Sequence, residues 1–219
     1  MILSIYNRHM KTLLFCTAYI PGNVNRYIDW INYYSNVYPE FDLLLVHDGP
    51  LDPALKQEII DNTEGHVNDN NFKDFDTKLE REVHWVFPSW YRSFYYAVKV
   101  GQQNYDKIIH IESDAYIVSE RLKQYMKEKN NGWVSMFSKK YKFPESAIQI
   151  INKDVYHLLD GLPEMYNFET HIEYFLPFTE VCMDFVGDRY GEVGHLPQYS
   201  IDYACQWNSD WGIPEDWAI

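Results

Sequence analysis

Short apolar runs recur along the chain, separated by segments whose apolar residues fall at helical spacing. Residues 12–20, Thr-Leu-Leu-Phe-Cys-Thr-Ala-Tyr-Ile, predict a buried strand closed by Pro21 and Gly22. Behind it Val24, Tyr27, Ile28, Ile31 and Tyr34 share one helical face. A second strand is predicted over 41–49, stopping at His47-Asp48-Gly49. Asp52 then supplies an N-cap and Pro53 suits the first helical position, so a helix follows to about Asn62. Residues 63–82 are dominated by Asn, Asp, Glu and Lys and predict a solvated loop or insertion. A third strand is expected over 83–87, closed by Pro88. Ser89 then caps a helix that buries Trp90, Phe94, Ala97, Val98 and Gly101.

The β-branched run beginning at Lys107 predicts another buried strand, and it delivers Glu112 and Asp114 without an intervening turn residue. Ser119 caps a helix carrying Leu122, Tyr125 and Met126. Strands are predicted over 133–138 and 147–151, and Asn152 and Gly161 bracket a further helix. Phe168, Ile172 and Phe175 share a face of a helix predicted within 167–178, with Glu169 and Glu173 one turn apart on a neighbouring face. The remainder is loop-rich. This alternation predicts an α/β domain with a Rossmann-type mixed, mostly parallel sheet flanked by helices. At 219 residues the whole chain, 1–219, reads as one domain.

Composition narrows the function. The net charge of −13 repels a phosphate backbone, so nucleic acid is not an expected partner. A nucleotide held through a metal ion is compatible with that charge, because the ion reverses the local sign. Aromatic residues reach 17%, including 19 Tyr and 7 Trp, enough to stack sugars and bases as well as fill a core. Three cysteines with no CxxC pair predict a reduced, cytoplasmic setting rather than a disulfide framework. No stretch is apolar for long enough to predict a transmembrane segment, and the protein reads as soluble.

The strongest chemical signal is the pair of acids after the strand at 107. On an extended backbone residues i and i+2 point to one side, so Glu112 and Asp114 are expected to project together beyond the strand's carboxyl end. Ligands of open α/β sheets bind there. Two adjacent buried carboxylates need neutralising, and a divalent cation does that.

In this arrangement the chain resembles GT-A-type glycosyltransferases, the nucleotide-diphospho-sugar transferase fold. Residues 43–52, Leu-Leu-Leu-Val-His-Asp-Gly-Pro-Leu-Asp, are similar to that family's second-strand motif, with His47 and Pro50 as departures. Glu112-Ser113-Asp114 stands where the family carries its metal-binding Asp-x-Asp, with Glu in the first position. The helix over 89–103 resembles the one that reaches donor and diphosphate. The likeness covers about 12–120 as a nucleotide-sugar-binding part, and about 121–219, the acceptor-side part, only by order of elements.

The resemblance implies a metal-dependent transfer of a sugar from a nucleoside-diphosphate sugar, a UDP-sugar ahead of a GDP-sugar, to a glycan or other hydroxyl acceptor. It implies Mn²⁺ or Mg²⁺ on Asp114 and Glu112, with His195 in Gly194-His195-Leu196-Pro197 as a further ligand. Asp48 is expected to face the base or ribose, Tyr19 to stack on the base, and Arg92 to meet the diphosphate, with Lys139 and Lys140 as weaker candidates. Inversion at the anomeric carbon needs a carboxylate base, for which Glu169 fits best and Glu173 next, with Asp184 and Asp188 as alternatives. A non-catalytic carbohydrate- or nucleotide-binding protein on the same fold is the alternative. A sugar-phosphate nucleotidylyltransferase ranks below it, because residues 17–22 hold one glycine and no basic residue.

Overall fold

Strand β1 (Thr12–Ala18) is covered on both faces, as an unbroken apolar run requires of a central parallel strand. The structure, a computed structural model, describes residues 10–20, 22–79, 88–162, 171–191 and 201–207. After β1 come α1 (Asn25–Val37), β2 (Asp42–His47), α2 (Pro53–Asp61) and the short β3 (Phe72–Asp74). Helix α3 (Pro88–Asn104) leads into β4 (Lys107–Ile111), then β5 (Tyr116–Ile117), α4 (Glu120–Glu128), β6 (Trp133–Ser138) and β7 (Phe143–Asn152). Two 3-10 helices, Lys153–Gly161 and Ile172–Tyr174, precede the short strands β8 (Glu180–Cys182), β9 (Gly187–Arg189) and β10 (Tyr203–Cys205).

Seven strands form the main sheet in the order β3-β2-β1-β4-β7-β6-β8. β1, β2, β3 and β4 run parallel, and β7 pairs antiparallel with both β4 and β6. A second, three-stranded sheet has the order β5-β10-β9. Side chains alternate along β1 and so divide between two cores. Leu14 and Cys16 pack with Tyr27, Trp30 and Ile31 of α1, while Leu13 and Phe15 pack with Phe94, Ala97 and Val98 of α3. The expected mixed, mostly parallel α/β architecture is therefore the observed one. Among the described residues no helix is long and apolar enough to cross a membrane.

The caps at Asp52 and Ser119 form as their residue types require: Asp52 Oδ1 accepts from Ala54 N (2.7 Å), and Ser119 Oγ from Leu122 N (3.3 Å). Elsewhere tertiary contacts change the outcome. The polar segment 63–82 contains β3, because Phe72 buries against the sheet and pairs with Leu45. Ser89 lies inside α3, and its hydroxyl donates to Leu79 O (2.8 Å) instead of capping. The bracketed helix after Asn152 is wound as a 3-10 helix. Of the helix predicted within 167–178, the described part holds one 3-10 turn. The strand expected over 83–87 lies outside the described residues.

Two features aim the fold at one edge. The sheet order reverses between β2-β1 and β1-β4, which leaves a crevice at the carboxyl ends of these strands. Tyrosine hydroxyls on α1 then tie that crevice down. Tyr27 Oη donates to Ala18 O (3.0 Å), Tyr33 Oη to Ile117 O (2.6 Å) and Tyr34 Oη to Ala115 O (3.0 Å). Tyr34 Oη also accepts from Ile117 N (3.0 Å).

Tyr34→Phe removes both bonds from a fully buried position and leaves a backbone donor and acceptor unmatched. The expected loss is about 1–3 kcal/mol of unfolding free energy in urea titrations. A loss under about 0.5 kcal/mol would show that the Tyr34 hydroxyl does not hold the 115–117 turn.

Candidate active site

At the reversal point the ends of β1 and β4 open onto a cavity of about 260 Å³, whose walls include Thr17, Arg26, Trp90, Glu112, Asp114 and Arg189. The acids reach it by a different route from a continued strand. β4 ends at Ile111, and Ala115 N donates to Glu112 O (2.9 Å), closing a turn over 112–115. Trp207 N, just past β10, donates to Asp114 O (2.9 Å) and fixes the turn from the far side. Both side chains still enter one cavity because the chain folds over the strand end rather than running past it.

Three carboxylates meet in this region with little to neutralise them. Burial pushes Glu112 up to about 8, with the charges of Asp114 and Glu145 acting the same way. Its Oε1 accepts from Trp90 Nε1 (2.9 Å). Burial likewise raises Asp114, against the pull of Arg26, whose Nη1 lies 3.5 Å from Asp114 Oδ2. Glu145 is raised to about 7 by burial, opposed by Arg189, whose Nε lies 3.4 Å from Glu145 Oε2 without hydrogen-bond geometry. Asp114 Oδ1 is buried and has no hydrogen-bond partner.

A hard divalent cation fits this donor set. Its preferred ligands are carboxylate oxygens; Asp114 lines the cavity, and its buried Oδ1 is unmatched. Among the described residues no group of three or more His, Cys, Asp or Glu is arranged to hold a metal alone. An ion here would be held by one or two carboxylates, Asp114 and Glu112, and would need its other ligands from a bound oxyanion, a pattern typical of Mg²⁺.

A second cavity of about 270 Å³ adjoins the first and shares Thr17, Ala18, Tyr19 and Trp90 with it. Asp48 lies in its wall. Asp48 Oδ1 accepts from Arg92 Nε (3.1 Å), Arg92 Nη2 (2.6 Å) and Ser93 Oγ (3.2 Å), while Oδ2 is buried without a partner. Arg92 holds Asp48 from behind: its guanidinium also donates to Thr77 O (2.7 Å) and lies 4.1 Å from the Phe75 ring centroid. Tyr19 faces both cavities with 39% of its surface exposed, and Lys78 Nζ sits 3.7 Å over its ring. His47, packed against Tyr19, is pushed down to about 4 by burial and stays neutral.

Glu173 lines the first cavity and a third one, and its Oε1 accepts from Ser146 Oγ (2.8 Å). Asp184 and Asp188 line none of the three cavities. Glu169 and His195 lie outside the described residues. The structure thus brings Tyr19, Asp48, Glu112, Asp114 and Glu173 to one continuous edge, with Arg92 supporting Asp48. Sequence reasoning missed Arg26, Glu145, Ser146, His171, Arg189 and Gln206. Arg26 had a legible signal, since it opens the helix that follows β1. Arg189 and Gln206 arrive on β9 and just past β10, which carry no pattern that places them beside β4.

No protein-family model matches the sequence, and no curated protein matches it. Solved structures do resemble it in fold. The galactosyltransferase LgtC, in complex with donor and acceptor sugar analogues, superposes with a TM-score of 0.55 at 12% identity, over 94% of this chain and 98% of that one. A glycosyltransferase involved in glycosylating the major capsid of PBCV-1 gives 0.53 at 8% identity, over 90% and 92%. The bifunctional glycosyltransferase WbbM gives 0.52 at 10% identity, over 94% of this chain and 47% of that one. The fold is thus that of GT-A-type glycosyltransferases, as the motifs around Asp48 and Asp114 implied.

Glu112 sets a pH test of the cavity. Its carboxyl moves from 4.5 to about 8 on folding, so the folded state holds the extra proton across that window. Stability is then full below the unfolded value and falls as pH rises through the folded one. In EDTA, Glu112→Gln is expected to exceed wild type in stability by on the order of a few kcal/mol near pH 8.5 and by much less near pH 5. Urea titrations at the two pH values measure it; an equal or reversed difference contradicts the placement.

Proposed function

We propose that the protein is a metal-dependent glycosyltransferase that moves a sugar from a nucleoside-diphosphate sugar, UDP-linked ahead of GDP-linked, to a hydroxyl acceptor. The observation that carries this reading is the buried Asp114 carboxylate with an unmatched oxygen, beside Glu112 and between Arg26 and Arg189, at the reversal point of the sheet. The fold likeness supports it, because the solved structures of this shape named above are glycosyltransferases.

In this reading Asp114 and Glu112 hold Mn²⁺ or Mg²⁺, with His195 as a further ligand. When bound, the ion supplies neutralisation of the charge that develops on the leaving diphosphate. Arg26 and Arg189 add fixed positive charge on the same cavity wall. The second cavity receives the nucleoside: Tyr19 offers a ring face to the base, and the unmatched Asp48 Oδ2 accepts from a ribose or base donor. Glu173 stands where the first and third cavities join, the place at which an acceptor hydroxyl meets the anomeric carbon. The acceptor oxygen forms a bond to that carbon as the bond to the diphosphate oxygen breaks. The electron pair leaves with the diphosphate, and the hydroxyl proton passes to the carboxylate. Glu169 is the competing candidate for that base. Free, buried Cys16, Cys182 and Cys205 agree with a cytoplasmic setting.

Calorimetry with UDP and GDP in the presence and absence of Mn²⁺, with a donor-hydrolysis assay on UDP-sugars, tests the reading. Asp114→Ala is expected to weaken metal-dependent nucleotide binding and to lower turnover, each by roughly 100-fold or more. Unchanged turnover in that variant, or a wild-type protein with no metal-dependent nucleotide affinity, would sink it. Binding without turnover would favour a non-catalytic nucleotide-binding protein.

A further inference from the structure

The third cavity, about 350 Å³, is walled by rings from three separate segments: Tyr141 and Phe143 on the β6–β7 hairpin, Tyr174 on the second 3-10 helix, and Tyr190 just past β9. Its volume falls within the range of small-molecule sites, roughly 300–1,000 Å³. Tyr174 and Tyr190 are 73% and 52% exposed, in a protein that buries most of its described tyrosines near α1 almost completely. Open aromatic faces of this size gathered at one place mark a binding surface. These rings are linked through Arg189 and Tyr141 rather than stacked face to face. The Arg189 guanidinium lies 5.1 Å from the Phe143 centroid and 5.6 Å from that of Tyr190, and Tyr141 meets Tyr190 edge-on at 6.1 Å.

The backbone around the cleft is also held out of its preferred conformation. Four non-glycine residues among those described have positive φ, and three of them border this cleft: Lys142 (59°), Tyr190 (64°) and Gln206 (53°). Such strain persists only where the surroundings enforce it, and it gathers at ligand clamps. The polar floor consists of His171, Glu173, Arg189 and Gln206, all shared with the cavity of Asp114. A ligand in the cleft is therefore within reach of a group held beside Asp114.

We infer that this cleft is a saccharide subsite that takes a pyranose ring of the acceptor, stacked on Tyr174 or Tyr190, with one ring hydroxyl directed at Glu173. The inference rests on the transferase reading and deepens it by naming the acceptor class. A pyranose has a C–H face that packs on an aromatic ring and a rim of hydroxyls that both donate and accept. The cleft pairs ring faces with a carboxylate, a guanidinium, an imidazole and an amide.

Saturation-transfer NMR with methyl β-glucopyranoside, methyl β-galactopyranoside and lactose, in the presence of UDP and Mn²⁺, tests the subsite on the full chain. Glycerol serves as the open-chain control. Wild type is expected to saturate the ring protons of at least one pyranoside and not those of glycerol. At least one of Tyr174→Ala and Tyr190→Ala is expected to weaken that binding about 5–10-fold, the worth of one aromatic contact. Both side chains are exposed enough for the variants to fold, which circular dichroism checks. Absence of pyranoside binding in wild type, or equal binding in all three proteins, would overturn the inference. Calorimetric UDP affinity in the same samples separates the two levels. Nucleotide binding without saccharide binding defeats the subsite alone, and loss of nucleotide binding in wild type defeats the transferase reading.

Discussion

The site depends on crowding carboxylates together where burial favours their protonated forms. Asp114, Glu112 and Glu145 sit at the end of β4 and its neighbour β7, and burial raises all three. Arg26 and Arg189 offset part of the repulsion without closing hydrogen bonds on every oxygen. An apolar core has no use for such an arrangement, since isosteric apolar residues would be more stable there. Stability is therefore given up at the reversal point of the sheet.

Everything around the turn over 112–115 resists its relaxation. α1 grips it through Tyr33 and Tyr34, and Trp207 binds Asp114 from the opposite side. The small sheet β5-β10-β9 places Arg189 and Gln206 on the same cavity. Arg121 and Ser119 anchor that sheet through the buried Asp202. The result is a row of three adjoining cavities, with Tyr19 and Trp90 at the first junction and Glu173 and Arg189 at the second.

Asp48 shows a different use of burial. Its side chain is 4% exposed, and Arg92 and Ser93 satisfy one oxygen while the other stays buried without a partner. Arg92, expected at the diphosphate, pairs with Asp48. A guanidinium with two donors on one oxygen fixes the direction of the remaining one. The positive charge nearest the acids of β4 comes from Arg26 and Arg189.

The strands β1, β2, β4, β6 and β7, the helices α1 to α4 and the position of Asp48, Glu112 and Asp114 just past strand ends were legible in the chain, because burial on both faces writes a continuous apolar run and each run ends where its strand ends. The route of the acids was not: a turn closed by Ala115 and Trp207 replaces the extended geometry that alternation implied. The polar segment that holds β3 and the 3-10 winding after Asn152 were hidden for the same reason, since long-range pairing and packing override local preference there. Local pattern decided which residues end at the carboxyl edge of the sheet. Only the tertiary fold decided which charges stand opposite them, because Arg189, Gln206 and the ring-lined cleft come from segments remote in sequence that carry no periodicity of their own.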